Sequence, residues 1–358
     1  MVNSATGLLA GNDVETPRRA LVYLAASQQR DGGFPQNFWL DGTPYWRGIQ
    51  LDEVAFPVIL AWRLWKAEAL GEFDPYPMVN AAAAYLVRQG PMTQLTSQEN
   101  RMEMQTERIF FRGHTDSKLA ARLDRPTGEP VSCALFAHCF TCSKDYHAVS
   151  RISRALAAQG IAVLRFDFTG LGESEGDFAD TNFSSNLDDL LAAARFLGER
   201  LGPPELLIGH SLGGSAVLAA ARRIPESKAV VTIGAPCDPG HLRPILAGAA
   251  PAIETEGEAE VVLAGRQFRI KRQLLDDLRE HSLRRFIGDL RKALLILHSP
   301  ADKIVGIEHA HRIFEAAKHP KSFVAIEGAD HLLADRAASD YVASVISAWA
   351  AWYIGRIK

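Results

Sequence analysis

The chain has 358 residues, enough for two domains, and its 47% hydrophobic and 23% charged content is that of a globular protein with a large core. A formal net charge of -3 argues against a polyanionic partner, and no run of 18 apolar residues exists to span a membrane. Only four cysteines and an N-terminus without signal-peptide features lead to the expectation of a reducing, cytoplasmic setting.

The first region, residues 1–100, reads as all-helical. Thr16-Pro17 suits a helix start, with Thr as N-cap, and that helix is expected to run to about Gln28. A second helix is predicted over 50–70, kinked at Pro57, and a third over 75–88, closed by Gly90-Pro91. Residues 91–106 are polar and mixed, as a linker or exposed helix would be.

From about Glu107 the texture changes to short strands alternating with helices. Strands are predicted at 109–112, 119–123, 131–138, 161–168, 205–209, 228–234, 293–298 and 322–327. Helices are predicted at 146–159, 183–201, 212–223, 305–317 and 337–354. Such alternation builds a mostly parallel sheet, here of eight strands, with helices on both faces. Residues 236–290 break the rhythm, with mixed helix and a hairpin near Val261–Ile270. An insertion there would lie above the strand ends, where such sheets bind ligands. The basic cluster Arg266–Arg272 reads as a solvated face.

The strongest local signal is Gly209-His210-Ser211-Leu212-Gly213, which fits the G-x-S-x-G turn that presents a serine hydroxyl at a sheet edge. Gly172-Glu173-Ser174-Glu175-Gly176 fits it too, but context separates them. Ser211 follows an apolar run and precedes a small-residue helix, whereas Ser174 lies before an acidic loop. A serine hydroxyl needs an adjacent base. His331, in the loop after the last strand, is the choice among eleven histidines, with His298 expected to be structural. Asp302, after strand 293–298, is the expected orienting acid; Asp238 is the runner-up, and Asp330 is too close to the base. The oxyanion donors are expected to be the N–H groups of Leu212 and Phe140, with His138, Cys139 and His210 facing the substrate. Cys139 and Cys142 form a C-x-x-C, but no second ligand pair has zinc spacing and no thioredoxin-like helix start follows. Two free thiols are therefore expected, with no metal and no cofactor.

Four segments carry a resemblance: His138-Cys139-Phe140-Thr141-Cys142-Ser143-Lys144-Asp145, Arg165-Phe166-Asp167-Phe168-Thr169-Gly170-Leu171-Gly172, Ile208-Gly209-His210-Ser211-Leu212-Gly213-Gly214 and Gly328-Ala329-Asp330-His331. Through them residues 107–354 resemble the α/β-hydrolase superfamily, and most closely the hydrolase half of bacterial fusions with an OsmC-like domain. The resemblance implies an α/β-hydrolase fold over 101–358, the Ser211, Asp302, His331 triad, and a structural role for Asp167–Gly172. The sequence ends at Lys358 with no OsmC-like half, so peroxide chemistry is not carried over. The segments Phe34-Pro35-Gln36-Asn37-Phe38-Trp39-Leu40-Asp41-Gly42-Thr43-Pro44-Tyr45-Trp46 and Gln50-Leu51-Asp52-Glu53-Val54-Ala55-Phe56-Pro57 are similar to bacterial glucoamylase, an α/α-barrel glycosidase of family 15. Glu53 matches that family's general acid. The second carboxylate that an inverting glycosidase needs lies in a part of the barrel not represented here.

The resulting expectation is a carboxylesterase acting on small esters of short to medium acyl chain. Lipase, thioesterase, lactonase or peptidase activity is the alternative, and a glycosidase using Glu53 the remote one. The large apolar residues Phe56, Trp62, Leu64, Trp65, Tyr85 and Leu86 of the first region are expected to cover the hydrolase as an extra cap or to form a homodimer contact.

Overall fold

The computed structural model describes residues 13–26, 28, 34, 51–89, 103–139, 142–263, 266–281 and 283–354. The chain divides into two compact units, Met1–Arg101 and Met102–Lys358.

The first unit holds three helices, α1 (Glu15–Ala26), α2 (Leu51–Lys66) and α3 (Tyr76–Gln89). The start of α1 differs from expectation. Asp13, not Thr16, supplies the capping oxygen, accepting from the Thr16 N–H at 3.1 Å. Helix α2 runs through Pro57. Apolar positions at helical spacing build a separate small core of Leu21, Leu24, Leu60, Leu64, Met78, Ala82 and Tyr85. Trp62 and Trp65 are outside it and exposed. Residues 29–33 and 35–50, which hold the predicted break and half of the glucoamylase-like motif, lie outside the described residues.

The second unit opens with β1 (Met104–Arg112) and β2 (Lys118–Pro126), an antiparallel pair longer than the sequence indicated. There follow β3 (Ser132–Ala137), α4 (His147–Ala157), β4 (Ile161–Phe166), α5 (Phe183–Arg200), β5 (Pro204–His210), α6 (Leu212–Ala220) and β6 (Ala229–Ile233). The insertion comprises α7 (Leu242–Leu246), α8 (Ala250–Glu256), the β7–β8 hairpin (Glu258–Leu263 with Arg266–Lys271), α9 (Arg272–Glu280) and α10 (Leu283–Gly288). The chain closes with β9 (Ala293–His298), α11 (Ile307–Ala316), β10 (Lys321–Ala325) and α12 (Arg336–Ala350).

The eight strands of the main sheet run in the order β1-β2-β4-β3-β5-β6-β9-β10. Only β2 opposes its neighbours; the pairs from β4 to β10 are parallel. Strands β3, β4, β6 and β9 are buried along their whole length, which is why they read as unbroken apolar runs. Their side chains alternate between two cores. Leu135 and Ala137 of β3 join the core with α5, α6 and the insertion, while Ala134 and Phe136 join the core with α4 and α12. Strand β5 lies at the centre, paired with β3 and β6, so its carboxyl end opens onto the middle of the sheet edge. Among the described residues no helix is long and apolar enough to cross a membrane.

Candidate active site

The turn between β5 and α6 is tight enough to dictate its residues. Ser211 has φ 54° and ψ -125°, a conformation costly for a residue with a Cβ. A Cβ on Gly209 would lie 2.2 Å from the Gly213 oxygen, and one on Gly213 would lie 2.3 Å from the Ala137 oxygen. Glycine is therefore required on both sides of the serine. Helix α6 is buried all round and is made of small residues so that it can approach the sheet. The Ser211 N–H donates to the Ile233 carbonyl at 2.9 Å, tying the turn to β6.

Two other strand ends complete the site. His331, in the loop after β10, has Nε2 3.0 Å from Ser211 Oγ and Nδ1 2.7 Å from Asp302 Oδ2. Asp302 follows β9, and its other oxygen accepts from the N–H groups of Ile304 and Val305 at 2.8 and 2.9 Å. Burial opposes charge on Asp302, but the His331 ring and the two N–H groups outweigh it and hold the carboxyl below its ordinary range. An ionised Asp302 only accepts, so the imidazole proton sits on Nδ1 and leaves Nε2 free to take the serine proton. Leu212 opens α6, where first-turn N–H groups have no intrahelical acceptor. Phe140 lies outside the described residues.

The remaining sequence candidates separate clearly. Ser174 Oγ donates to the Asp167 carbonyl at 2.7 Å and accepts from Ala120 N–H at 2.9 Å, so its proton serves a turn. His298 is fully buried, with Nε2 on the Val305 carbonyl at 2.8 Å. Asp238 caps a short 3-10 turn through Gly240 N–H, and Asp330 accepts from Ala334 N–H. His210, expected to face substrate, is only 3% exposed, and its Nε2 lies 2.8 Å from the His331 carbonyl oxygen. His138 is also buried, with Nδ1 donating to the Cys139 carbonyl at 2.7 Å, while Nε2 makes no hydrogen bond among the described residues and lies 3.8 Å from Asp167 Oδ1. It borders a small cavity shared with Phe168, Phe183, Leu212 and Gly213. The expectation of two free thiols is corrected: Cys139 and Cys142 are joined as a disulfide, their Cα atoms 5.3 Å apart, which is within bridging reach. Among the described residues no group of three or more His, Cys, Asp or Glu is placed to hold a metal.

Sequence reasoning missed the charged cluster behind the 138–145 loop. Lys144, 1% exposed, sends Nζ to Asp167 at 2.8 Å and Glu173 at 2.7 Å, while its own N–H reaches Asp167 Oδ1 at 2.6 Å. Arg165 bridges Asp124 at 2.7 Å and Asp145 at 2.8 Å. Burial opposes the charge on Lys144, but Asp167 and Glu173 overcome it and raise its pKa. Asp145 is likewise held down to about 2, its burial outweighed by Lys144, Arg122 and Arg165. A lysine inside the S-K-D run and an arginine inside the apolar strand R-F-D-F were the available signals.

The insertion is fastened to the sheet side of the site. Asp277 of α9 accepts from the N–H and hydroxyl of Ser184, at the start of α5, while Arg269 and Lys271 of β8 pair with Asp177 and Asp180. A hollow of about 550 Å³ between α7, α8 and α9 is lined by Arg243, Glu254, Arg279 and mostly apolar residues, and touches none of Ser211, Asp302 and His331.

A doubly wound sheet with a serine–histidine–aspartate chain at its carboxyl edge defines the class of the α/β-hydrolases. The alpha/beta hydrolase family profile matches residues 134–345, more than half of the chain, and the chain belongs to that family. The esterase domain of a Rhodothermus marinus protein is 50% identical to it, with a TM-score of 0.58 over 71% of this chain and 100% of that one. Mouse mitochondrial palmitoyl-protein thioesterase ABHD10 is 27% identical over 188 residues, 50% of this chain and 61% of that protein. A glucoamylase from Clostridium sp. (strain G0005) is 41% identical over 90 residues, 25% of this chain and 12% of that enzyme. The chain thus spans about three fifths of the first of these two curated relatives and about an eighth of the second.

Proposed function

We propose that this hydrolase is a serine esterase that cleaves small carboxylic esters through an acyl-enzyme on Ser211. The observation that carries the reading is the continuous hydrogen-bonded chain from Ser211 Oγ through His331 to Asp302, with spacings of 3.0 and 2.7 Å, on a strained turn. His331 Nε2 takes the hydroxyl proton as Oγ attacks the ester carbonyl. The tetrahedral oxyanion is met by the Leu212 N–H and a second donor from the 138–142 loop, which we assign to Phe140. Collapse breaks the bond to the alcohol, which leaves with the proton from His331. Water then repeats the sequence on the acyl-enzyme and releases the acid, returning the proton to Ser211. Asp302 stays ionised throughout, orients the ring and stabilises the imidazolium.

The identity to an esterase domain over that domain's full length supports ester hydrolysis. Short to medium acyl chains are the preferred substrates in this reading. Thioesters are the second reading, favoured by the similarity to a palmitoyl-protein thioesterase. Starch hydrolysis through Glu53 is not proposed, since the matched 90 residues amount to 12% of a glucoamylase. The test is hydrolysis of p-nitrophenyl butyrate by the purified chain and by Ser211→Ala. The variant is expected to lose on the order of 10³-fold or more in kcat. Equal rates in both proteins would overturn the assignment of the nucleophile. Chain-length series of p-nitrophenyl esters and acyl thioesters then separate the two substrate classes.

A further inference from the structure

We propose that His210 is a positioning residue: its Nε2–H holds the backbone carbonyl of His331 and so fixes the distance between the base and the nucleophile that follows His210 in sequence. This rests on the reading of His331 as the base. The residue ends β5, directly before Ser211, and its side chain points away from solvent into the space under the His331 loop. Nε2 lies 2.8 Å from the His331 carbonyl oxygen, across 121 positions of sequence, and the two rings are 5.2 Å apart at 36°. A carbonyl only accepts, so His210 must donate from Nε2 and carries its proton there. Burial first, and the nearby His331 ring second, push its pKa down to about 4, which keeps the ring neutral at ordinary pH.

The loop that carries His331 is irregular and needs such fixing. Its backbone turns at Gly328, with φ 70°, and at Leu333, with φ 52°. Two side chains from the ends of β9 and β5 grip alternate carbonyls: Ser299 Oγ donates to Ala329 at 2.6 Å, and His210 donates to His331 itself. The Asp302 bond to Nδ1 sets the ring's rotation but leaves the height of its backbone free. His210 supplies that constraint from the same strand as the serine, so nucleophile and base move as one body. A displacement of about 1 Å between reacting groups is enough to cost about 100-fold in rate.

The test uses the full chain with p-nitrophenyl butyrate. His210→Phe keeps the ring volume and removes the donor; His210→Gln places an amide N–H at similar reach. We expect the phenylalanine variant to lose roughly 10- to 100-fold in kcat with KM within about twofold. The glutamine variant should return to within about threefold of the parent. Equal losses in both folded variants, or kcat within about twofold in the phenylalanine variant, would overturn the proposal. Ser211→Ala, run alongside, distinguishes this from failure of the triad reading: an active Ser211→Ala protein removes the reaction itself. Long-range ¹H–¹⁵N spectra of the unaltered protein give an answer independent of variant folding. A neutral Nε2–H tautomer for His210 between pH 5 and 8 is expected; an Nδ1–H tautomer overturns the assignment.

Discussion

Asp302 shows how one side chain divides its work. One oxygen orients His331 and the other is held by two backbone N–H groups, so the carboxylate has little freedom to rotate. Asp302→Asn keeps the size but disfavours the Nδ1–H tautomer of His331. A loss of about 10³- to 10⁴-fold in kcat is expected, with the fold unchanged by circular dichroism. Retention of more than a tenth of the activity would argue against an orienting role. At the same scale Gly213→Ala forces a Cβ against the backbone oxygens of Ala137 and His138, at 2.3 and 2.5 Å. The expected cost is about 2 kcal/mol or more in urea unfolding, since backbone on both sides must shift. An unchanged midpoint would show that the turn is softer than its geometry indicates.

Elements differ in how far they could be read from sequence. The parallel strands announced themselves as apolar runs, because burial on both faces leaves a local trace. Ser211 was legible because strand, turn and small-residue helix are contiguous. His331 and Asp302 were legible because chain order fixes which strand ends they occupy. The Lys144–Asp167–Glu173 cluster was not, since its members come from two loops and gain meaning only when β3 and β4 pair. The inward turn of His210 was hidden for the same reason, and the oxidation state of Cys139 and Cys142 is not written in their spacing. The cluster makes a prediction at this scale. Asp167→Ala leaves Lys144, 1% exposed, without its deepest partner. Removing one member of a buried pair typically costs about 3–5 kcal/mol. Thermal unfolding should report that loss, and exchange of backbone amides should rise first in residues 138–145. A variant as stable as the parent would mean that Glu173 and Asp145 suffice.

Over the whole molecule, the separate cores of the two units and the neutral buried His210 and His138 set the response to heat and acid. Among the described residues, 1–101 hold one apolar cluster and 102–358 hold two, each larger than the first unit's. Calorimetry should show two transitions, the helical unit melting first; one cooperative transition would show that the units stabilise each other. The pH response follows from His210 and His138, both held neutral chiefly by burial. An unfolded histidine titrates near 6.5, whereas His210 in the folded protein does so at about 4. Between those values the unfolded state binds more protons. The folded state is therefore at its full advantage above pH 6.5 and loses stability as pH falls toward 4. For His210 alone the loss is of order 3 kcal/mol. Urea midpoints at pH 7.5, 6 and 5 check this, and midpoints that do not fall would contradict it.

The three residues of the hydrogen-bonded chain come from three different strand ends, and its two links span 120 and 29 positions of sequence. Such a contact cannot form locally: β5, β9 and β10 must be in register before Ser211, Asp302 and His331 meet. Long-range pairing of parallel strands is the slow part of folding. During refolding from denaturant, helical signal should therefore return early, while the proposed hydrolase activity waits for the last strand at the sheet's edge. With Ser211 as the proposed nucleophile, activity would be a clock for completion of the sheet, since a half-folded chain would carry the serine without His331 and Asp302 beside it.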